Sequence, residues 1–121
     1  MKKKTPKEIS KKYYDNHRFQ RINESILYNK TPKGRYNRYK TAAKKRGLDF
    51  KITLDEFISL INESCIYCGS KESIGVDRVD NQIGYLIENC SPCCTMCNMM
   101  KKSLPLEIFL EHCKKITSFN Y

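Results

Sequence analysis

The chain has 121 residues, which is enough for one compact domain with a modest core but short for two. No apolar run approaches the roughly 18 residues that a membrane span needs, and the basic start "MKKKTPKEISKKYY" lacks the apolar core of a signal peptide. These features argue against a membrane protein and a secreted protein. We therefore expect an intracellular, cytoplasmic protein.

The net charge of +10 is unevenly distributed along the chain. Residues 1–51 hold 17 Lys and Arg against 4 Asp and Glu, a balance of +13, whereas residues 52–121 hold 6 against 9, a balance of −3. The first part would attract a polyanion such as nucleic acid, and the second offers carboxylates to a hard cation. We predict a basic helical nucleic-acid-binding extension at 1–51 and a second domain at 52–121. The alternative to nucleic-acid binding is that residues 1–51 are only a solvated basic surface or a partly disordered arm.

Two helices are predicted in the basic part. Apolar residues recur at loosely helical spacing between Ile9 and Ile26. The stretch "TPKGRYNRYKTAAKKRG" then offers Thr31 and Pro32 as a start, two alanines as strong helix formers, and Gly47 as an end. The basic side chains of this second helix that we expect to contact nucleic acid are Arg35, Arg38, Lys44, Lys45 and Arg46.

Three further elements are predicted outside the cysteine-rich region. "LDFKIT" has the composition of a short strand, and Thr53 with Glu56 forms a capping box that opens the helix "LDEFISLINE". Near the end of the chain, "LPLEIFLEHCKKI" has the apolar stripe of a helix.

The seven cysteines contain the clearest chemical pattern. "CIYC" contains Cys65 and Cys68, and "CTMC" contains Cys94 and Cys97, two knuckles whose thiolates can converge on a tetrahedral Zn²⁺. In a reducing compartment, paired C-x2-C motifs are typical of metal ligands rather than disulfides, and an odd number of cysteines argues against a complete disulfide framework. Four thiolates would close the coordination shell, so such a zinc is structural.

The register of the second knuckle is ambiguous. "CSPCCTMC" also contains Cys90 and Cys93 in an overlapping C-x2-C pair. The alternative for Cys90, Cys93 and the later Cys113 is that they are small buried hydrophobic residues, which we prefer.

The stretch between the knuckles predicts a hairpin. "IGVDRVD" alternates like a strand, "NQIG" has turn residues, "YLIENC" can return as a second strand, and "CNMMKKSL" can open a short helix. Asp77 on the first strand and Asn98 at the helix start both offer the hard oxygen ligands that Mg²⁺ prefers. Taken singly, Asp77 can be a strand-end residue, Asn98 a helix cap and Asn89 a loop residue that bonds the backbone.

These residues resemble a known family. This part of the chain is similar to the zinc-containing HNH endonucleases of the His-Me finger, or ββα-metal, superfamily. The matching segments are, in order, C-x2-C, "GVDRVDNQIGY", "EN" and "PCCTMCNMMK". The likeness covers Cys65 to Leu104, and the preceding "AAKKRGLDFKITLDEF" resembles the lead-in of small HNH proteins of phage type. It implies an α+β fold in which a small ββα-metal core is stapled by a four-cysteine zinc site and flanked by basic N-terminal helices and a C-terminal helix.

The resemblance implies roles for individual residues by position. Asp77 and Asn98 would bind a catalytic Mg²⁺ or Mn²⁺, and Asn89 would brace the loop and orient the catalytic residue. Lys101 and Lys102 would lie near the phosphodiester backbone. The ligands of the structural zinc would be the four cysteines of the two knuckles in the second register, Cys65, Cys68, Cys94 and Cys97.

Arg78 departs from the family pattern, which has a histidine there to deprotonate water. An arginine stays protonated and cannot accept a proton, but it can bind the scissile phosphate bidentately. The Asp-Arg variant resembles a branch of HNH restriction-type nucleases in which a tyrosine replaces the histidine. Tyr67 in "CIYCG" is our candidate nucleophile, with Tyr85 or a metal-bound hydroxide as the alternatives; Tyr67 can also simply pack beside the knuckle. Nothing in the sequence places His17 or His112 at this site.

Two functions follow from these residues. The first is a metal-dependent HNH-type endonuclease that hydrolyses DNA phosphodiester bonds. RNA is the alternative nucleic-acid partner. The second is a catalytically inactive, zinc-stapled DNA- or RNA-binding module with the same fold. Asp77 and Asn98 favour the first and Arg78 favours the second. One ββα site cuts one strand, so double-strand cleavage would need a homodimer or two successive nicks. A chain of this type is expected to be phage- or virus-encoded.

Overall fold

The computed structural model describes residue 3 and residues 5–121. Within that part the chain has five helices and a two-stranded antiparallel sheet, so the predicted α+β class is confirmed. The chain divides into two compact units, residues 1–38 and Tyr39–Tyr121. The functional division at residue 51 stays a prediction. No helix in the described part of the chain is long and apolar enough to cross a membrane.

Helix α1, Pro6–Lys30, lies in the first unit. A capping box begins it, because the backbone N–H of Thr5 donates to Glu8 Oε2 at 2.7 Å and that of Glu8 donates to Thr5 Oγ1 at 3.3 Å. No residue of α1 is buried. The predicted N-terminal helix is confirmed.

Helix α2, Pro32–Lys45, crosses from the first unit into the second. Its first turn is stabilised by Thr31, whose Oγ1 accepts from the backbone N–H of Gly34 at 3.0 Å. Beyond its end, Gly47 has a φ of +69°, a left-handed conformation that glycine adopts without strain. Both predicted ends of this helix are therefore confirmed.

Helix α3, Leu54–Ile61, opens with the predicted Thr53 and Glu56 capping box. The strand predicted from "LDFKIT" is wrong. Phe50 makes only an isolated parallel bridge with Tyr85. The ladder cannot continue because the chain after Tyr85 enters a short 3-10 helix, Ile87–Asn89.

The sheet pairs β1, Ile74–Arg78, with β2, Cys90–Cys94. Ile74 lies opposite Cys94 and Arg78 lies opposite Cys90. The first strand is confirmed, but the second was predicted over Tyr85–Cys90 and is wrong by almost its whole length. The residues before Cys90 instead close a wide loop that hydrogen bonds from the Asn89 side chain hold together.

Helices α4, Thr95–Lys101, and α5, Leu106–Asn120, complete the chain. The α4 helix starts two residues before its predicted position because the Cys94 side chain accepts from the backbone N–H of Cys97 and caps it. Helices α3 and α4 pack against the sheet. The apolar residues buried in this unit include Ile52, Phe57, Ile74, Val76, Tyr85 and Phe109.

Candidate functional site

Four cysteines form a compact cluster beside the sheet. The Sγ atoms of Cys65, Cys68, Cys94 and Cys97 all lie within 4.8 Å of one another, and those of Cys68 and Cys94 are 3.6 Å apart. A tetrahedral zinc with Zn–S bonds of about 2.3 Å separates its sulfurs by about 3.8 Å. The cluster can therefore hold a metal ion such as zinc.

Local backbone structure creates both halves of the cluster. In the first knuckle, the backbone N–H of Gly69 donates to Cys65 O at 2.9 Å and closes the turn, with Gly69 at a φ of +76°. The backbone N–H of Ile66 donates to Pro92 O at 2.9 Å, which attaches this knuckle to β2. The second knuckle joins the end of β2 to the first turn of α4. Two distant segments thus meet at the four sulfurs.

The thiols differ in how readily they ionise. Burial raises the pKa of Cys65, but backbone hydrogen bonds in the two knuckles outweigh burial and lower that pKa to about 6. Burial and hydrogen bonds to neighbouring thiols raise the pKa of Cys97. Because a metal binds the thiolate form, the cluster has one ligand ready and another that must release its proton on binding.

The remaining cysteines stand outside the cluster. Cys90 and Cys93 are buried on β2, and burial raises their pKa values to about 11 and about 12. Cys93 Sγ donates to Cys94 O at 3.4 Å. Cys113 is partly buried on α5. The group of four thus takes the second of the two overlapping registers, and Cys90 and Cys93 pack as small hydrophobic residues.

Asp77 lies on β1 with a side chain that is 4% exposed, and its carboxylate has two partners. Tyr67 donates its hydroxyl to Asp77 Oδ2 at 2.7 Å, and Lys101 Nζ lies 3.3 Å from the same oxygen. Lys101 Nζ also donates to Arg78 O at 3.5 Å. Because both side chains contact Oδ2, Asp77 Oδ1 is the oxygen left for another ligand.

Lys101 lies in a different place from the one that the sequence suggested. We expected it near a phosphodiester backbone, but its side chain is 0% exposed and is directed at Asp77. A buried carboxylate needs a compensating charge, and the end of α4 supplies it from inside the fold. The neighbouring Lys102 is exposed, because the backbone turns into the left-handed region there, with a φ of +49°.

Tyr67 is half-buried between Asp77 and α5. Its ring contacts that of Phe109 edge-on, with 5.9 Å between ring centroids. Burial, together with the hydrogen bond to Asp77, raises the pKa of the Tyr67 hydroxyl. The hydroxyl is therefore a hydrogen-bond donor in this structure and resists forming a phenolate.

Arg78, at the end of β1, is 6% exposed. Its Nη1 donates to Asn81 O at 2.7 Å and to Ile83 O at 3.0 Å, and its guanidinium carbon lies 5.5 Å from the centroid of the Tyr85 ring. The guanidinium is thus held against the loop that follows β1. Its position is set by backbone carbonyls and an aromatic face.

Asn89 holds the other side of the same loop. Its Nδ2 donates to the carbonyl oxygens of Asp80, Ile83 and Gly84 at 3.0 to 3.2 Å, and its Oδ1 accepts from the backbone N–H of Asp80 at 2.9 Å. The side chain therefore fixes the loop of residues 79–84 at several points.

A cleft of about 320 Å³ opens beside these residues. It brings Asp77, Arg78 and Asn98 together, although they come from β1 and α4. The other residues that line it are Tyr39, Arg46, Val76, Asn81, Tyr85, Lys102 and Ser103. Three basic side chains, Arg46, Arg78 and Lys102, thus surround one carboxylate, which suits a ligand that combines an anion with a cation.

Sequence reasoning missed three of the polar residues that line the cleft, namely Tyr39, Asn81 and Ser103. The Tyr39 hydroxyl accepts from the backbone N–H of Val76 at 3.2 Å, so this tyrosine of α2 anchors the helix to β1. The sequence feature that could have indicated a site residue was the position of Tyr39 among basic residues. A tyrosine on a basic helix is equally consistent with an exposed surface.

The basic residues of α2, and both histidines, are not among the described residues that line the cleft. Arg38, Lys44 and Lys45 are exposed along α2, and Arg35 is partly buried there. His17 is stacked on Tyr13 in α1, with 4.1 Å between ring centroids. His112 is exposed on α5. Neither histidine is among the described residues that line the cleft.

Comparison with known proteins finds one informative relative. The chain is 39% identical over 98 residues to an uncharacterized protein, R423, of Acanthamoeba polyphaga mimivirus. The match covers 78% of this chain but only 18% of the mimivirus protein, so the chain spans less than a fifth of the relative's length. No family model and no solved structure matches the chain. The similarity therefore connects the chain to a virus-encoded protein.

Proposed function

We propose that this chain is a metal-dependent endonuclease of the HNH type that hydrolyses phosphodiester bonds of DNA. The observation that carries the proposal is the cleft, in which Asp77 and Asn98 share a wall with basic side chains. A phosphodiester is an anion that takes a divalent cation as its partner in hydrolysis, and this cleft offers groups for both.

The arrangement of elements around the cleft supports the proposal. β1 carries Asp77, β2 pairs with it antiparallel, and α4 follows directly with Asn98. An HNH nuclease would need a ββα unit, and this order of two paired strands and a helix supports that assignment. The cysteine cluster lies where both knuckles join this unit, and its four thiolates leave no open coordination position. We assign it to a structural zinc that holds the two knuckles together.

Asp77 and Asn98 are the residues that would hold the catalytic Mg²⁺ or Mn²⁺. Their carboxylate and amide oxygens are the hard donors that these ions take, and Asp77 Oδ1 is left for this purpose by the two contacts to Oδ2. When bound, the ion supplies Lewis-acid polarisation of the phosphate. Lys101 and Tyr67 hold the Asp77 carboxylate in one orientation.

Arg78 serves as a phosphate clamp in this proposal. Its charge is permanent, so it cannot act as the base, and its position against the loop is preorganised by two carbonyl oxygens. Charge that develops on the phosphate oxygens would be stabilised without prior movement of the guanidinium. Arg46 and Lys102 add positive charge at the rim of the cleft.

We assign the attacking group to water in the cleft rather than to Tyr67. The Tyr67 hydroxyl is engaged with Asp77, has a raised pKa, and is not among the described residues that line the cleft. The water oxygen forms a bond to phosphorus, the bond from phosphorus to one sugar oxygen breaks, and that leaving oxygen gains a proton as the attacking water loses one.

A plasmid-cleavage assay with Mg²⁺ or Mn²⁺ tests this function. Wild-type protein should nick supercoiled DNA, and Asp77→Ala and Asn98→Ala should each lower the rate by about 100-fold or more, because the ion loses a ligand. Glu111→Ala, which replaces an exposed acidic residue on α5, is the matched control and should cut DNA at the wild-type rate. If the wild type binds DNA but leaves it intact with every divalent ion, the enzyme proposal is wrong.

The second candidate is an inactive nucleic-acid-binding module with the same fold. The observation that favours it is the internal neutralisation of Asp77 by Lys101, together with an arginine that cannot act as a base. Under this alternative the protein would bind DNA in the assay above without cutting it, and the exposed change Asn98→Ala would alter neither the product nor the affinity.

A further inference from the structure

A second depression, of about 540 Å³, lies next to the cleft. The residues that line it are Val79, Asp80, Asn81, Gln82, Ser103, Pro105, Leu106 and Glu107. Two of them, Asn81 and Ser103, also line the cleft. The two depressions therefore share a wall, and one ligand can enter both. The volume falls within the range of about 300–1,000 Å³ that is typical of small-molecule sites.

The chemistry of the second depression differs from that of the cleft. No Lys or Arg is among the described residues that line it, and the carboxylates of Asp80 and Glu107 would repel a phosphate. Asn81 and Gln82 contribute side-chain amides, which both donate and accept hydrogen bonds. The depression is thus suited to a neutral ligand edge that carries hydrogen-bond donors.

The wall that carries these amides is held in place by the rest of the fold. Arg78 and Asn89 donate to backbone carbonyls of this loop, and the backbone N–H of Gln82 donates to Asp80 Oδ1 at 2.9 Å. The side-chain amides of Asn81 and Gln82 make no hydrogen bond within the part of the chain that the structure describes. A rigid backbone therefore presents two free amides at the edge of the cleft, which is the arrangement that specific recognition needs.

We propose that this depression is a nucleobase subsite that takes adenine by its N6 amino group or cytosine by its N4 amino group, beside the phosphodiester held in the cleft. An Asn or Gln amide pairs with the amino group and ring nitrogen of adenine, and a carboxylate accepts from the amino group of cytosine. The inference rests on the proposed function, because the neighbouring phosphodiester locates the base. It gives the nuclease a base preference at one fixed position next to the cut.

The test maps the base preference of the protein in two ways. Random duplex DNA is cut with Mn²⁺ and the cleaved ends are sequenced; in parallel, bound duplexes are selected with Ca²⁺ and sequenced. The wild type should enrich adenine or cytosine at one position. Gln82→Ala and Asn81→Ala should flatten that preference by about tenfold, since Gln82 is exposed, Asn81 is half-buried, and the side-chain amide of each pairs with a base. Asn120→Ala, an exposed amide at the far end of α5, should keep the wild-type profile.

A substrate arm identifies the ligand chemistry. Replacing the preferred adenine by purine, which lacks the amino group, should lower cleavage or binding of the wild type about tenfold and leave Gln82→Ala unchanged. An enrichment of guanine or thymine that Gln82→Ala removes would overturn the assignment to the N6 amino group of adenine or the N4 amino group of cytosine.

The failures of the two proposals can be told apart. Should the protein select adenine or cytosine in the Ca²⁺ experiment yet cleave nothing, the subsite stands and the nuclease proposal falls. Cleavage without base preference, or with a preference that both loop variants retain, overturns the subsite and leaves the nuclease proposal in place.

Discussion

The cysteine cluster and the neighbouring cleft share helix α4, which supplies Cys97 to one and Asn98 to the other, yet they treat their polar groups in opposite ways. Four thiols of one kind meet within 4.8 Å, and a metal ion can bind all four of them at once. In the cleft, Asp77 already has a lysine and a tyrosine as partners and gives a further ligand only one oxygen. The cluster can thus hold an ion among its four sulfurs, whereas the carboxylate of the cleft already has protein partners before any ligand arrives.

The largest expected effect comes from breaking the cysteine cluster. Cys94→Ser removes a metal ligand but keeps a side chain that can cap α4, so residues 39–121 should lose the metal and, with it, their cooperative unfolding transition. Elemental analysis should find one zinc per wild-type chain and none in the variant. Cys113→Ser, which lies outside the cluster, is the matched control and should keep zinc and stability. A variant Cys94→Ser that retains zinc would contradict the assignment of this ligand.

The second-largest expected effect comes from removing Lys101, the buried cation that pairs with Asp77. Lys101→Met leaves the Asp77 carboxylate buried without its partner, which should lower the free energy of unfolding by about 3–5 kcal/mol in urea denaturation. Adding Asp77→Asn should recover most of this loss, because the pair is then neutral on both sides. Lys102→Met changes an exposed neighbour and should stay within about 0.5 kcal/mol of the wild type. Equal effects of the two lysine changes would refute the buried pair.

Substitution of two asparagines distinguishes the stability of the loop, which depends on Asn89, from cleavage in the cleft, which depends on Asn98. Asn89→Ala leaves several loop carbonyls and one N–H without a partner, so it should cost about 2–3 kcal/mol of unfolding free energy. Asn98 is exposed, and Asn98→Ala should change stability by no more than about 0.5 kcal/mol while removing metal-dependent cleavage. The comparison fails if Asn98→Ala unfolds the protein or if Asn89→Ala leaves its stability unchanged.

The smallest effect concerns Tyr67. Tyr67→Phe removes one hydrogen bond to Asp77 Oδ2 and keeps the ring against Phe109, so it should cost about 1–2 kcal/mol in stability and less than tenfold in cleavage rate. Single-turnover cleavage measures the rate, and Tyr85→Phe provides a second tyrosine for comparison. Complete loss of cleavage in Tyr67→Phe alone would restore the tyrosine as the nucleophile.

Local signals in the sequence predicted much of the fold. The capping box at Thr53 and Glu56, the helix start at Thr31 and Pro32, and the glycine at Gly47 each act within a few residues, and all three are present in the structure. The second strand was misplaced because its position depends on Asn89, whose side chain closes the loop before β2 through contacts that no pattern of hydrophobicity records.

The sequence by itself determined the α+β class, the basic first part and the four cysteines that can hold a metal, since composition, short-range capping and paired C-x2-C spacing are properties of neighbouring residues. Only the tertiary structure decided that Lys101 is buried against Asp77, that Tyr67 donates to the same oxygen, and that Arg78 is held by loop carbonyls. The reason is physical: burial and hydrogen-bond partners depend on which segments meet in space, and α4 and β1 are in contact although they are distant in the sequence.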